Sequence, residues 1–360
     1  MIGSDRLTAA FSVLFDAFYA PGEGLFREAI GTAKQGDRPY AYNWSFGALL
    51  AAFAALLESG AADDHPRLRV WANQIAAAND RYLTFFEGRL GDDSYPGQPH
   101  PDRYYDDNAW IGLASLRIHE RTGDATWMQR AMTAYEFVRS GWDRATNGVF
   151  WREAPRRSLH VCSAGPGALL AAELYRHTGN EALLDAARRW FSWTLELRDV
   201  DGVFQDNVNL ETGIVGPRKY TYNQGTPLHA ALVLNKITGE PDYGVEAARI
   251  LRATDYFLTG SDPSRAGLEE GELPRTVWFN AVLLRALAAA VREGLCVDSK
   301  LLAAFRRELA VSWEMFVETR PLAAPTARDD ASSRVSLLDA AGIVEQAALW
   351  RTFQSDLQEK

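Results

Sequence analysis

Apolar residues along this chain recur at three- and four-residue spacing, as in FGALLAAFAALLESG from Phe46, MQRAMTAYEFVRSGW from Met128 and ALLDAARRWFSWTLEL from Ala182. Strand-like alternation is nearly absent, so the pattern predicts a mostly helical fold. Three stretches align with one another: LRIHERTGDATWMQRAMTAYEFV from Leu116, AELYRHTGNEALLDAARRWFSWT from Ala172 and LVLNKITGEPDYGVEAARILRAT from Leu232. Each reads as a helix, a Thr-Gly-acid/amide turn and a second helix. Gly123, Gly179 and Gly239 stand where a left-handed residue ends a helix, and Asp124, Asn180 and Glu240 follow at the start of the next. The turns lie 56 and 60 residues apart.

If that interval is a structural unit, the first helix of each hairpin begins near Trp44, Asp106, Ser163, Asn223, Phe279 and Ser336. Adding a helix over roughly 5–19 as the outer partner that closes the ring gives twelve helices. The expectation is an all-α, six-hairpin (α/α)6 barrel forming a single domain over residues 1–360. An open solenoid is the competing architecture, but its repeats run to about 34–47 residues. Here the extra length lies in loops such as TNGVFWRE from Thr146 and VDGVFQDN from Val200, whose Gly-Val-Phe triplets are 54 residues apart and predict short hairpins at one end. In a closed ring every inner helix starts at that same end, so the helix starts converge on one pocket.

Composition narrows the class. Hydrophobic residues make up 47% of the chain and charged residues 24%, which supports a large packed core. The net charge is −9 and no Lys/Arg-rich run occurs, which argues against nucleic acid as a partner. Cys162 and Cys296 lack the spacing of a zinc site or a disulfide framework, and both read as buried thiols. The first residues, MIGSDRLTAAFSVLFDAFYAPGEG, lack the basic start and unbroken apolar run of a signal peptide. No run of 18 apolar residues suggests a membrane span. A cytoplasmic location is the expectation, with secretion open if a leader has been removed.

The helix starts read YNWSFG from Tyr42, YYDDNAWIG from Tyr104, CSAGPGAL from Cys162, YTYNQGTPL from Tyr220 and RTVWFNAVL from Arg275. Aromatic faces and side-chain amides suit a sugar, whose ring offers apolar C–H faces and a rim of hydroxyls. Several of these residues also have plain structural readings. Ser163 and Asn223 could be N-caps, Gly165, Gly167 and Gly225 suit close helix packing, and Trp110 falls inside a helix as a core residue. Trp44, Tyr105 and Tyr222 precede helix starts and face either way.

Asp106 and Asp107 pose the sharper question. A cap and a first-turn acid would account for them structurally. Two adjacent like charges among water-excluding aromatics would instead drive one carboxyl to keep its proton to unusually high pH, which makes an acid/base pair. Neighbouring Cα atoms are ~3.8 Å apart, so diverging carboxyl groups can reach the roughly 5–5.5 Å of retaining glycosidases rather than the about 6.5–9.5 Å of inverting ones.

These motifs resemble glycoside hydrolase family 76, the α-1,6-mannanases built on a six-hairpin α/α barrel. The resemblance covers YYDDNAWIGLA from Tyr104, SAGPGALLAAELYRHTG from Ser163, DGVFQDN from Asp201, TYNQGTPLHAAL from Thr221 and LLDAAGIV from Leu337. It implies cleavage of α-1,6-mannosidic linkages with retention, on an α-mannan oligosaccharide or related glycan. By the same resemblance Asp106 is the nucleophile, Asp107 the general acid and then base, and no metal or other cofactor is required. Asp206, Asn223 and Gln224 would contact sugar hydroxyls, and Trp44, Tyr105 and Tyr222 would supply apolar surface. Asn280 stands where similar sequences tend to carry Lys, a departure from the family pattern on that helix.

Two other functions fit a similar barrel. A sugar 2-epimerase leans on histidine proton carriers, for which His229 is the candidate nearest the predicted pocket. A non-catalytic glycan-binding barrel would have no need of an intact carboxylate pair. A metal site at the aspartates lacks further Asp, Glu or His at ligand spacing nearby.

Overall fold

In the computed structural model, the segment after Tyr42 is apolar on every side, and the helix it forms buries almost every residue from Asn43 to Leu57. A helix hydrophobic all round must be enclosed by others. The structure describes residues 2–32, 36–259, 267–318 and 334–358. Among them the main helices are α1 (Ser4–Phe18), α2 (Asn43–Glu58), α3 (Leu68–Asp80), α4 (Tyr105–Thr122), α5 (Ala125–Ser140) and α6 (Val161–Thr178). The series continues with α7 (Glu181–Glu196), α8 (Thr221–Thr238), α9 (Pro241–Arg252), α10 (Val277–Arg292), α11 (Ser299–Trp313) and α12 (Leu337–Gln358).

The even-numbered helices form the inner ring. Each packs on the next from α2 to α12, and α12 packs back on α2. Outer helices bury only a stripe: α3 buries Trp71, Ile75, Ala78 and Asn79, and α9 only Ala247, Ile250 and Leu251. Helix α1 lies against α12 and α2, the closing partner that the sequence predicted. The antiparallel pairing of Ala29–Ile30 with Val335–Ser336 fastens the two ends of the ring together. The architecture is the six-hairpin α/α barrel. Among the described residues no helix is long and apolar enough to cross a membrane.

The Thr-Gly turns repeat down to their hydrogen bonds. Thr122, Thr178 and Thr238 each donate a hydroxyl to the carbonyl four residues back and accept from the amide two residues on. Gly123, Gly179 and Gly239 are left-handed, with φ of 69°, 65° and 70°. Asp124 and Asn180 then cap the outer helices by accepting from Thr126 N and Ala182 N. Glu240 makes no side-chain cap, and Pro241 opens its helix instead.

Inner helices begin differently. In four of them, α2, α4, α6 and α8, the N-caps are Tyr42, Tyr104, His160 and Tyr220, all in extended backbone and none with a side-chain cap bond. This is why the predicted starts fall one or two residues from the observed ones, since start rules look for Ser, Asp or Asn. The Gly-Val-Phe loops meet the expectation of pairing in part. Val149 bridges Trp142, and Phe204 bridges Arg198. The regular sheet forms between the loops, with Ser158–His160, Asn207–Asn209 and Val215–Gly216 antiparallel in that order. Cys162 is buried as expected, but Cys296 is exposed, because its neighbours Leu295 and Val297 pack against the core and turn it outward.

Glycines set the approach of inner helices. A Cβ on Gly225 would sit 2.9 Å from Leu283 Cα and 3.0 Å from Val282 O, both backbone atoms of α10. Gly225→Ala is therefore expected to destabilise the fold by about 1–3 kcal/mol through overpacking, read as a lower midpoint of urea unfolding.

Candidate active site

The inner helix starts surround a cavity of about 470 Å³. It is lined by Tyr42, Trp44, Ser94, Asp102, Tyr104, Asp106, Asp107, Trp110, Trp151, His160, Cys162, Asp206, Tyr220, Tyr222, Trp278 and Phe279. The register follows from the caps. Because the cap residue is extended, the next side chain turns away from it. The four caps Tyr42, Tyr104, His160 and Tyr220 face the cavity, as do the second helical residues Trp44, Asp106, Cys162, Tyr222 and Trp278. The first helical residues Asn43, Tyr105, Val161 and Thr221 are buried in the wall.

That register corrects part of the predicted set. Tyr105 is not at the cavity: it is fully buried, its ring stacks on Phe137 at 4.9 Å, and its hydroxyl accepts from Arg156. Gln224 is also fully buried, accepting from Phe204 N and donating to Ile250 O, so it fastens the Gly-Val-Phe loop. Asn223 lies behind the wall and donates Nδ2 to Asp206 Oδ1 at 3.0 Å. Asp206, Trp44 and Tyr222 line the cavity. Trp110, read as core, reaches the cavity because α4 packs its ring edge-on against Trp278 at 5.2 Å. Asn280 is buried between Thr221, Pro274 and Glu308, away from the cavity.

The two aspartates differ in their surroundings. Asp106 Oδ2 accepts from Trp151 Nε1 at 3.1 Å and from Cys162 Sγ at 3.4 Å, and Oδ1 accepts from Asp107 N at 3.0 Å. Among the described residues Asp107's carboxyl receives no donor. Burial pushes the Asp106 carboxyl up to about 6, with those donors holding it back. Asp107 is pushed well above the usual carboxylate range by burial first, and then by the charges of Asp106, Asp92 and Asp102. The ionised form therefore belongs to Asp106 and the proton to Asp107.

Asn108 holds this helix start in place. It accepts from Asp92 N at 2.7 Å and donates to Asp92 O at 3.0 Å and Tyr104 O at 2.8 Å, clamping α4 to the hairpin strand Arg89–Asp92. Trp151 stacks on His160 at 5.1 Å and meets Tyr104 edge-on at 4.9 Å. Burial lowers His160 to about 4, so its ring is neutral at physiological pH. Asp102 accepts from Arg152 Nε at 2.6 Å and from the Tyr104 hydroxyl at 3.4 Å. His229, the predicted epimerase base, is outside the cavity; burial and the charges of Arg285, Arg292 and Arg117 lower it to about 3. His160, Cys162, Asp102 and Trp151 escaped sequence reading. His160 and Cys162 could have been found by aligning the repeats on their caps, where they take the places of Tyr104 and Asp106.

An α/α barrel with paired carboxylates in an aromatic cavity has the build of a carbohydrate-processing protein. The family model for glycosyl hydrolase family 76 matches residues 5–295, and the chain belongs to that family. It is 26% identical over 203 residues to the mannan endo-1,6-alpha-mannosidase of Candida glabrata, covering 51% of this chain and 46% of that one. The chain thus spans about half the length of the curated relatives it matches. Its fold is similar to the family 76 mannosidase Bt3792 from Bacteroides thetaiotaomicron, with a TM-score of 0.80 at 23% identity over 98% of this chain and 99% of that one. It is similar also to an inactive variant of the alpha-1,6-mannanase from Salegentibacter, with two consecutive aspartates replaced by asparagine, in complex with alpha-1,6-mannotriose. That likeness has a TM-score of 0.73 at 20% identity, over 97% and 99% of the two chains.

Proposed function

We propose that this chain is a retaining glycoside hydrolase acting on α-1,6-linked mannosides, with the barrel as its single catalytic domain. The observation that carries the reading is the division of labour in the aspartate pair: one carboxyl holds three donors, and its neighbour holds none and keeps its proton. Asp106 attacks the anomeric carbon while Asp107 gives its proton to the departing glycosidic oxygen, which leaves a glycosyl ester on Asp106 and a carboxylate on Asp107. Water then loses a proton to Asp107 and breaks the ester, restoring both groups with net retention. Trp44 and Tyr222 offer apolar faces to the sugar. Asp206, oriented by Asn223 and by Asn207 Nδ2 at 2.8 Å, accepts from its hydroxyls. The mannan activity in the names of the relatives supports the choice of linkage.

The test is incubation of the parent with α-1,6-mannotriose, with the anomer of the first-formed product read by proton NMR. Release of the α-anomer supports the reading. Release of the β-anomer, or no cleavage, overturns it.

The pH profile of kcat/KM follows from the same pair. Asp106 must be ionised, so the rate falls below about pH 6. Asp107 must be protonated, so the rate falls again as pH rises through its elevated value. A bell with an acid limb near 6 is expected, where two ordinary carboxyls would place that limb near ~4.

A further inference from the structure

One group of side chains in the cavity wall combines a sulfur, an imidazole and a carboxylate, a set that neither attack on the sugar nor proton transfer to the leaving group calls for. His160, Cys162 and Asp206 each place a donor atom within 4.8 Å of the other two. Two of them come from the start of α6, where the cap and second helical residue both face inward, and the third comes from the loop before Asn207–Asn209. His160 Nδ1 lies 3.8 Å from Asp206 Oδ2. A tetrahedral ion with bonds of about 2.0–2.3 Å sets donors about 3.3–3.8 Å apart, so small side-chain rotations complete the set.

The surroundings of these residues already orient them. The far ring nitrogen of His160, Nε2, is 2.9 Å from the Ser158 hydroxyl, and its ring stacks on Trp151. In the tautomer whose Nε2 donates to Ser158, the Nδ1 lone pair is turned toward Asp206 and is available to a cation. Asn223 and Asn207 hold Asp206 from behind, and the Asp206 carbonyl accepts from Val161 N at 2.9 Å, tying its loop to α6. A sulfur, an imidazole nitrogen and one carboxylate select zinc, cadmium or cobalt over magnesium or calcium, which want oxygen alone.

We propose that His160, Cys162 and Asp206 form a binding site for a thiophilic divalent cation of the zinc type, placed in the cavity wall rather than serving as a cofactor. Binding forms metal–nitrogen, metal–sulfur and metal–oxygen bonds, and the Cys162 thiol proton leaves to water. Cys162 Sγ is 3.4 Å from Asp106 Oδ2, so the ion takes away that donor and sets a positive charge beside the first aspartate. Since Asp206 cannot serve metal and sugar together, zinc acts as a reversible inhibitor, a consequence that rests on the hydrolase reading.

The site itself is tested without turnover. The full chain carrying Cys296→Ser, which removes the exposed thiol, is titrated with Co²⁺. One equivalent is expected to raise a near-ultraviolet thiolate-to-cobalt band that Zn²⁺ abolishes. Adding Cys162→Ser removes the band, with folding checked by circular dichroism. Ser158→Ala weakens binding by about 10- to 100-fold, the usual cost of losing an outer partner of a ligand. Absence of the band in the Cys296→Ser protein, or its persistence with Cys162→Ser, overturns the site. If the cobalt spectra behave as expected while mannotriose is not cleaved, the metal site stands and the hydrolase reading falls.

Discussion

Asp106→Asn is expected to lower kcat/KM on α-1,6-mannotriose by at least about 10⁴-fold, because the amide cannot form the glycosyl ester and loss of a covalent nucleophile removes that route altogether. Asp107→Asn is expected to cost about 10²- to 10⁴-fold on the same substrate, since it leaves the nucleophile and removes only proton transfer. The two roles separate by leaving group. An aryl mannoside whose phenol departs as a stable anion needs no acid, so the Asp107 variant should form the ester on it at close to the parental rate, while the Asp106 variant stays inactive. Equal recovery of both variants, or of neither, would remove the assignment.

Stability gives an independent reading of the pair. Both folded carboxyls titrate above their unfolded values. Such groups favour folding only while protonated, below about pH 4, and the contribution of Asp106 is gone once pH passes about 6. At neutral pH the pair therefore opposes folding. The double asparagine variant keeps the shape without the charge, so it is expected to melt above the parent at pH 7 and to show no such gain at pH 4. A catalytic pair that costs stability is the usual pattern of an active site, whereas acids placed in the first turn only to favour the helix dipole would leave their asparagine variants slightly less stable.

What the sequence revealed, it revealed through periodicity. The Thr-Gly turns at 123, 179 and 239 are local devices whose hydrogen bonds involve residues only a few positions apart, so they can be read from the chain directly. The ring follows from them, because six hairpins of like length close. The cavity was legible only to the level of which segments meet. Tyr105 and Asp106 are adjacent, yet one is wall and the other cavity, and that choice depends on an extended cap residue that carries no capping side chain to announce it. Gln224 reads as a sugar ligand by type, but Phe204 and Ile250, 20 and 26 residues away, claim its amide. Trp151 belongs to the cavity through loop pairing, which periodicity does not encode.

At the other end of the inner helices the barrel encloses a group of charges, and breaking it is expected to have the largest effect on stability. Glu345 on α12 is fully buried and pairs with Arg285 on α10 and with Arg117 on α4, the latter at 3.5 Å. Arg117 also holds Glu58 of α2 through two bonds of 2.7 Å. These residues link four of the six inner helices. Glu345→Gln leaves Arg285 facing a neutral amide in a site from which water is excluded, while Arg117 keeps Glu58; losing one partner of a buried pair costs about 3–5 kcal/mol. The unfolding midpoint in urea should fall accordingly. The paired change Glu345→Leu with Arg285→Met removes both charges and replaces them with apolar volume. It is expected to recover most of that loss, since the desolvation of an ion pair roughly cancels its attraction. If the double variant is as unstable as the single one, the group holds the barrel through its specific geometry rather than by avoiding an uncompensated charge.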